Sequence, residues 1–181
     1  MKIVSLKVGL EEAKKTILSQ RKGLIKKEKL EGVKLLWIPV AIIKLRVIEK
    51  DKFEFVGPKI VEIMNVYELV DGLWTGLSFS YPPKIEEVES LDEGKVEKNV
   101  DVEKLVRFLE ELNVFKNHLK FAAFGISANA SELKVLDVIE VYYPFYIGKL
   151  VGKTDRYVIV SGVSGNLAGM RTETLKNLYE C

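Results

Sequence analysis

The sequence predicts an α+β protein, an antiparallel sheet whose helices lie mainly on one face. Three observations predict this class. Apolar residues recur at helical spacing in residues 9–28 and again after Asp101. Runs rich in β-branched residues, bounded by polar or glycine-containing turns, follow at strand length. Finally, similar side chains recur in the same order about 105 residues apart, which indicates two diverged copies of one α-β-β(-β) unit.

The duplication is clearest around two prolines. Four residues recur with identical spacing: Pro39, Ile42, Lys44 and Leu45 match Pro144, Ile147, Lys149 and Leu150. A repeat this long is not a solenoid, because solenoid units recur every 20–50 residues or so. It predicts two subdomains related by a pseudo-twofold axis. Because proline cannot donate a ladder hydrogen bond, Pro39 and Pro144 are expected at a sheet edge or a bulge.

The first copy, residues 1–66, is predicted to contain one helix and three strands. Residues 9–28 carry apolar side chains at helical spacing opposite a lysine-rich face. The strands are expected at residues 33–48, 53–56 and 60–64, separated by turns at 49–52 and 57–58.

Residues 67–114 are predicted as an insertion between the copies. It contains one or two strands around the turn at Asp71-Gly72, a charged linker at 82–100, and an amphipathic helix capped by Asp101. The buried face of that helix is expected to carry Leu105, Val106, Phe108, Leu109 and Leu112.

The second copy, residues 115–181, repeats the order of the first. A helix is expected at 115–123, a strand at 138–150, a return strand at 157–160, and a glycine turn at 161–166. The three segments form separate parts or one compact domain overall.

Composition limits the cellular setting. Lysine plus arginine number 28 against 26 acids, so a net charge of +2 gives no strong field toward nucleic acid or membrane. The excess of lysine and glutamate, with Gln20 as the single glutamine, is typical of hyperthermophile proteins. Charged residues interrupt the N-terminus, and the longest apolar run, Leu35–Ile43, is shorter than the roughly 20 residues of a membrane span. Cys181 is the single cysteine. A cytoplasmic protein without membrane association is expected.

No catalytic, cofactor or metal site is predicted. His118 is the single histidine and Cys181 the single cysteine, so a histidine pair for metal and a zinc ribbon lack their ligands, and no hydrolytic triad is expected. The turn at Ser161 lacks the Gly-x-Ser-x-Gly spacing of a nucleophile elbow, and no phosphate-binding glycine loop is present. These absences favour a binding role over catalysis.

Two surfaces are candidate binding sites. Trp37, Tyr142 and Tyr146 fall on the strand face opposite the expected core, and are either a partner or ligand face or covered by a helix. The second surface is a basic patch that contacts phosphates or is simply solvated. Its residues are Lys14, Lys15, Arg21, Lys22, Lys26 and Lys27.

Two short segments resemble PepSY-type repeats. Gly9 to Lys15, with its Glu-Glu-Ala sequence, resembles the opening helix of such repeats, and Tyr157 to Gly162 resembles their closing strand and turn. Ser161 stands where the family usually has aspartate. The resemblance implies tandem helix-plus-antiparallel-strand modules that act by binding or inhibition.

The leading hypothesis is therefore a non-enzymatic binding or scaffold protein that holds a protein partner, or a second copy of itself, on a sheet face or edge. The alternative is a nucleic-acid-binding protein that uses the basic N-terminal helix. A second alternative is an enzyme or small-ligand binder with a site between the two repeats.

Overall fold

The computed structural model describes residues 1–21, 28–49, 57–91, 93–115, 122–127 and 129–181. Its described residues confirm a mixed α+β fold. The helices are α1 (Leu10–Ser19), α2 (Val102–Phe115) and α3 (Thr172–Glu180). The strands are β1 (Lys2–Val4), β2 (Lys29–Glu49), β3 (Lys59–Glu68), β4 (Trp74–Phe79), β5 (Ile85–Glu87), β6 (Ala130–Val151), β7 (Arg156–Ser161) and β8 (Leu167–Ala168).

The strands pair in the order β4-β3-β2-β6-β1-β5, and β7 pairs with both β6 and β8. The pairs β1–β5, β2–β3, β3–β4, β6–β7 and β7–β8 are antiparallel. Strand β1 is parallel to β6, with Ile3 opposite Tyr142. A parallel pair between segments this far apart in the chain was not predicted.

The chain divides into two compact units. Unit 1 comprises Met1–Pro39, Lys84–Glu97 and Val141–Cys181, and unit 2 comprises Val40–Pro83 and Lys98–Glu140. These limits differ from the predicted segments 1–66, 67–114 and 115–181. The duplication itself stays a prediction.

In unit 2, α2 packs on β2 and β3 as its apolar spacing predicts. Asp101 caps the helix, since its Oδ1 accepts the backbone N–H of Glu103 at 2.9 Å. The core consists of Leu105, Leu109 and Leu112 against Ala41, Ile43, Leu45, Val47, Tyr67 and Leu69, among others. Phe108, expected inward, is 40% exposed and meets the Phe124 ring edge-on at 5.1 Å. It lies at the margin of the apolar stripe.

In unit 1, α1 and α3 contact opposite faces of β7. Ala13 and Ile17 of α1 pack against Val158 and Val160. Tyr179 of α3 instead meets the ring of Tyr157 at 5.6 Å. Successive side chains of a strand point to opposite faces, so the two helices cover different sides. The expectation of helices mainly on one face is therefore not supported in this unit.

Several helix and strand boundaries differ from those predicted. Helix α1 ends at Ser19 instead of extending to residue 28, β2 starts at Lys29 instead of 33, and β6 starts at Ala130 instead of 138. The strand ends carry charged residues alternating with apolar ones, which weakened the signal. The predicted linker at 82–100 contains β5 and a bridge at Lys95. The return strand 53–56 and most of the helix 115–123, with His118, lie outside the described residues.

Both prolines lie inside long strands, at the point where a ladder begins. The ladder between β2 and β3 starts at Val40, directly after Pro39. The ladder between β6 and β7 starts at Phe145, directly after Pro144, whose carbonyl accepts the N–H of Gly162 at 2.8 Å. A ladder boundary is where the missing N–H of proline costs least.

Candidate functional site

A cleft of about 690 Å³ lies in unit 1 and is called here the edge cleft. Its walls come from β2, from the segment 93–97 and from the end of α3. The lining residues are Lys34, Leu35, Leu36, Glu93, Gly94, Lys95, Val96, Glu97, Leu178 and Cys181. The volume falls in the range of roughly 300–1,000 Å³ that is usual for ligand-binding clefts.

The segment 93–97 is held on β2 by a single parallel bridge between Trp37 and Lys95. Trp37 donates its N–H to the carbonyl of Gly94 at 2.7 Å, and Val96 donates its N–H to the carbonyl of Trp37 at 3.0 Å. Gly94 has a φ of +71°, and a Cβ there would lie 2.6 Å from the carbonyl oxygen of Leu35. Only glycine allows the segment to approach this closely.

Before this bridge, β2 directs some of its main-chain groups to the edge that carries the segment 93–97. Main-chain groups of a strand point to alternate edges, so Leu35 and Val33 direct theirs to the same edge as Trp37. The alternation breaks before Val33, since Leu30 and Val33 both pack under α1. Outside the sheet ladders, the backbone hydrogen bonds of the described residues include none to Val33 or to the N–H of Leu35, whereas the carbonyl of Leu35 lies against Gly94. We call the main-chain groups of Val33 and the N–H of Leu35 the open edge.

The position of β3 supports this assignment. Glu68 of β3 donates its N–H to the carbonyl of Leu73, on the side away from β2. The odd-numbered residues of β3 therefore direct their main-chain N–H and C=O groups toward β2. Because Tyr67 pairs with Ala41, Ala41 and its odd-numbered neighbours in β2 direct their main-chain groups toward β3. The ladder with β3 nevertheless starts only at Val40. The segment 93–97 and the edge cleft lie beside residues of β2 that precede Val40.

Ion pairs hold the first residues of β2 in place. Arg156 donates two hydrogen bonds to the carboxylate of Glu28, at 2.8 and 2.6 Å, and one to the carbonyl of Gln20. Lys149 pairs with Glu31 at 2.9 Å, and this hydrogen bond raises the pKa of the lysine. These contacts fix the start of the strand through side chains.

The edge cleft combines an apolar centre with a charged rim. Leu36 is 8% exposed and lies with the half-buried Val96 and Leu178. The rim carries two lysines and two glutamates, Lys34, Lys95, Glu93 and Glu97. Lys95 pairs with Glu97 at 3.7 Å. An apolar centre inside a polar rim is the usual anatomy of a protein interface.

The three predicted aromatic residues separate into two groups. Trp37 pairs with the segment 93–97, and the Tyr142 ring lies 5.5 Å from Nζ of Lys95, so both adjoin the edge cleft. Tyr146 is 4% exposed beneath α1, and its hydroxyl donates to the carbonyl of Val8 at 2.9 Å. The buried Tyr146 therefore has no access to a ligand, and burial raises the pKa of its phenol.

The described part of the basic patch is engaged locally. Lys14 pairs with Glu11 at 2.6 Å, and Arg21 donates to the carbonyl of Leu18 at 3.0 Å near the end of α1. Lys15 is exposed. The other predicted members, Lys22, Lys26 and Lys27, lie outside the described residues.

Buried polar groups elsewhere support turns. The Ser161 hydroxyl accepts the N–H groups of Val163 and Ser164 and shares a 2.7 Å hydrogen bond with Tyr143. Burial raises the pKa of Tyr143 to about 12, so its hydroxyl stays protonated. Hydrogen bonds to the Ser161 hydroxyl thus stabilise the turn that was predicted from its glycines.

Glu68 was missed by sequence reasoning. Its carboxylate is fully buried and accepts the N–H groups of Val70, Asp71 and Leu73 at 2.8–2.9 Å. Burial raises the pKa of Glu68 despite these three hydrogen bonds, which lower it. The signal was an acid placed between an apolar strand and the Asp71-Gly72 turn.

Comparison of the chain with known protein families, curated proteins and solved structures finds no match. The resemblance of residues 9–15 and 157–162 to PepSY-type repeats stays a prediction. Within the described ranges, no three His, Cys, Asp or Glu side chains are grouped so that they could hold a metal ion. No helix in the same ranges has the length and apolar character needed to cross a membrane.

Proposed function

We propose that this chain is a non-enzymatic protein-binding protein. The partner contributes an extended segment that adds as a strand along Val33 and Leu35. The observation that carries the proposal is the position of the edge cleft beside the open edge of β2. Unpaired N–H and C=O groups in a row form a template for another main chain, and strand addition is a common mode of peptide recognition.

Charge favours a protein partner over nucleic acid. Phosphate recognition needs several unpaired lysines or arginines on one surface. The rim of the edge cleft carries equal numbers of both signs, and Lys14 and Arg21 of the basic patch already have local partners. A main chain with alternating donors and acceptors complements the open edge without any net charge.

The test removes one outward N–H group. A random-peptide display library is selected against the wild-type protein, and enriched peptides are measured by fluorescence anisotropy. Val33→Pro removes one of the donors of the open edge, whereas Val33→Ala shortens the side chain but keeps the donor. Loss of one hydrogen bond and the added ring should weaken binding about tenfold or more relative to Val33→Ala.

Hydrogen exchange locates the bound peptide. The amides of Val33 and Leu35 should exchange more slowly in the complex. Equal affinity for Val33→Pro and Val33→Ala, in two variants with wild-type circular dichroism, would overturn the proposal. So would a library from which no peptide is enriched.

We also propose that the two proline-bearing strands descend from a duplication. Supporting this, Pro39 and Pro144 each directly precede the start of an antiparallel ladder, with β3 and β7 respectively.

A second copy of the chain is one candidate for the added strand. Light scattering at increasing concentration would reveal a dimer, and Val33→Pro should shift that dimer to monomer.

A further inference from the structure

We infer that the segment bound in the edge cleft is uncharged and places one apolar side chain against Leu36, Val96 and Leu178. This inference rests on the proposed function and adds the chemistry of the partner. The argument uses the face of β2 that α3 approaches, the balance of charge on the rim, and the absence of a side chain at Gly32.

One face of the open edge is bounded by α3. A Cβ on Gly32 would lie 2.7 Å from the hydroxyl of Tyr179, and Nζ of Lys34 lies 5.3 Å from the centre of the same ring. Gly32, Lys34 and Leu36 therefore share the α3 face of β2, by the two-residue period of a strand. An added strand would direct every second side chain to this face.

The next position on this face is apolar. Leu36 lines the edge cleft together with Val96 from the segment 93–97 and Leu178 from the last turn of α3. A side chain that enters here removes apolar surface of all three residues from water. Valine or leucine gains from that burial, whereas a charged side chain would lose its hydration without a dedicated partner.

The rim gives no preference for either sign of charge. Lys34 and Lys95 oppose Glu93 and Glu97, and Lys95 already contacts Glu97 at 3.7 Å and the Tyr142 ring at 5.5 Å. A cationic or anionic segment therefore meets as much repulsion as attraction.

Three blocked, fluorescein-labelled peptides of equal length test the inference. One alternates valine with threonine, one alternates glutamate with threonine, and one alternates lysine with threonine; each is confirmed monomeric by light scattering. The valine peptide should bind at least about tenfold more tightly than either charged peptide. Its affinity should not change between low and high salt, since no ion pair forms.

Cleft variants locate the apolar contact. Leu178→Ala and Val96→Ala should each weaken binding of the valine peptide several-fold. The matched control is Leu167→Ala, since Leu167 is 44% exposed on β8 and does not line the edge cleft. Two variants from different elements keep the test valid if one of them fails to fold.

The outcomes separate the inference from the proposed function. Tighter binding of a charged peptide that still protects the amides of Val33 and Leu35 would overturn the uncharged partner and keep strand addition. Equal weakening by Leu178→Ala and Leu167→Ala would overturn the apolar contact. Tighter binding of a single-stranded oligonucleotide than of any peptide, or a bound peptide that leaves those amides unprotected, would overturn the proposed function as well.

Discussion

Gly94→Ala tests whether the segment 93–97 depends on close backbone approach to β2. Gly94 has a φ of +71°, and the new Cβ would lie 2.6 Å from the carbonyl oxygen of Leu35. A left-handed conformation costs a non-glycine residue about 1–2 kcal/mol. The contact with a backbone oxygen adds to this cost, because a main-chain atom inside a strand cannot move aside easily.

The interactions that hold the segment are weaker than this combined cost. Its two backbone hydrogen bonds with Trp37 contribute about 1 kcal/mol each. We therefore expect the segment to detach from β2 while the rest of unit 1 stays folded. Because detachment forfeits those bonds and the partial burial of Val96, the free energy of unfolding should fall by about 2–3 kcal/mol.

Hydrogen exchange measured by NMR is the direct assay. The amides of Trp37 and Val96 donate the two bridge hydrogen bonds, so both should exchange at least about tenfold faster in Gly94→Ala. The matched control is Gly76→Ala. Gly76 has a similar φ of +79°, but its Cβ would have no neighbour within 4 Å. That variant carries the conformational cost alone and should leave the Trp37 amide protected.

An unchanged Trp37 amide in Gly94→Ala would refute this reasoning. It would mean that the backbone relaxes around the new methyl group and that the segment does not depend on glycine. Faster exchange of the Trp37 amide in Gly76→Ala would also refute it, since it would show a general loss of stability instead of local detachment of the segment 93–97.

Three further changes probe the packing. Gly148→Ala should lower the free energy of unfolding by about 1–3 kcal/mol, because its Cβ would lie 2.7 Å from Cδ1 of Ile17, and adding Ile17→Val should restore part of the loss. Ser161→Ala should cost about 2–3 kcal/mol, because the N–H groups of Val163 and Ser164 lose their acceptor and the Tyr143 hydroxyl loses its hydrogen bond to Ser161. Glu68→Gln should change how the free energy of unfolding depends on pH. Burial raises the pKa of Glu68 above its ordinary 4.5, so the folded state holds a proton that the unfolded state releases. Wild-type stability should therefore fall, relative to the variant, as pH rises from 4.5 through the folded pKa. Urea denaturation measures all three effects.

Each of these changes has a result that would contradict it. Additive effects of Gly148→Ala and Ile17→Val would show that the two side chains do not collide. A Ser161→Ala variant as stable as the wild type would mean that water replaces the hydroxyl. A stability difference between wild type and Glu68→Gln that is constant with pH, or that grows in favour of the wild type, would show that burial does not dominate this carboxyl group.

The candidate site was only partly predictable from the sequence. Trp37 and Tyr142 were singled out because period-two alternation placed them opposite the expected core, and both adjoin the edge cleft. Tyr146 follows the same alternation but is covered by α1. The segment 93–97 was assigned to a linker, because charged residues and glycine carry no strand signal when a single bridge holds them.

The sequence by itself determined the local features. The α+β class, the helix capped by Asp101, the proline-bearing strands and the turn after Ser161 all follow from side-chain period, capping and turn chemistry. These are properties of a few neighbouring residues, so they can be read without knowing the rest of the molecule. They explain why the fold class was confirmed while strand ends moved by several residues.

Only the tertiary structure decided which strand edges are paired. Trp37 meets Lys95, and Ile3 meets Tyr142, across long stretches of chain, and nothing within either segment specifies its partner. A strand offers hydrogen-bonding groups on both edges whatever its side chains are. Which edge stays open is therefore settled by packing between distant segments, and the site proposed here depends on that choice.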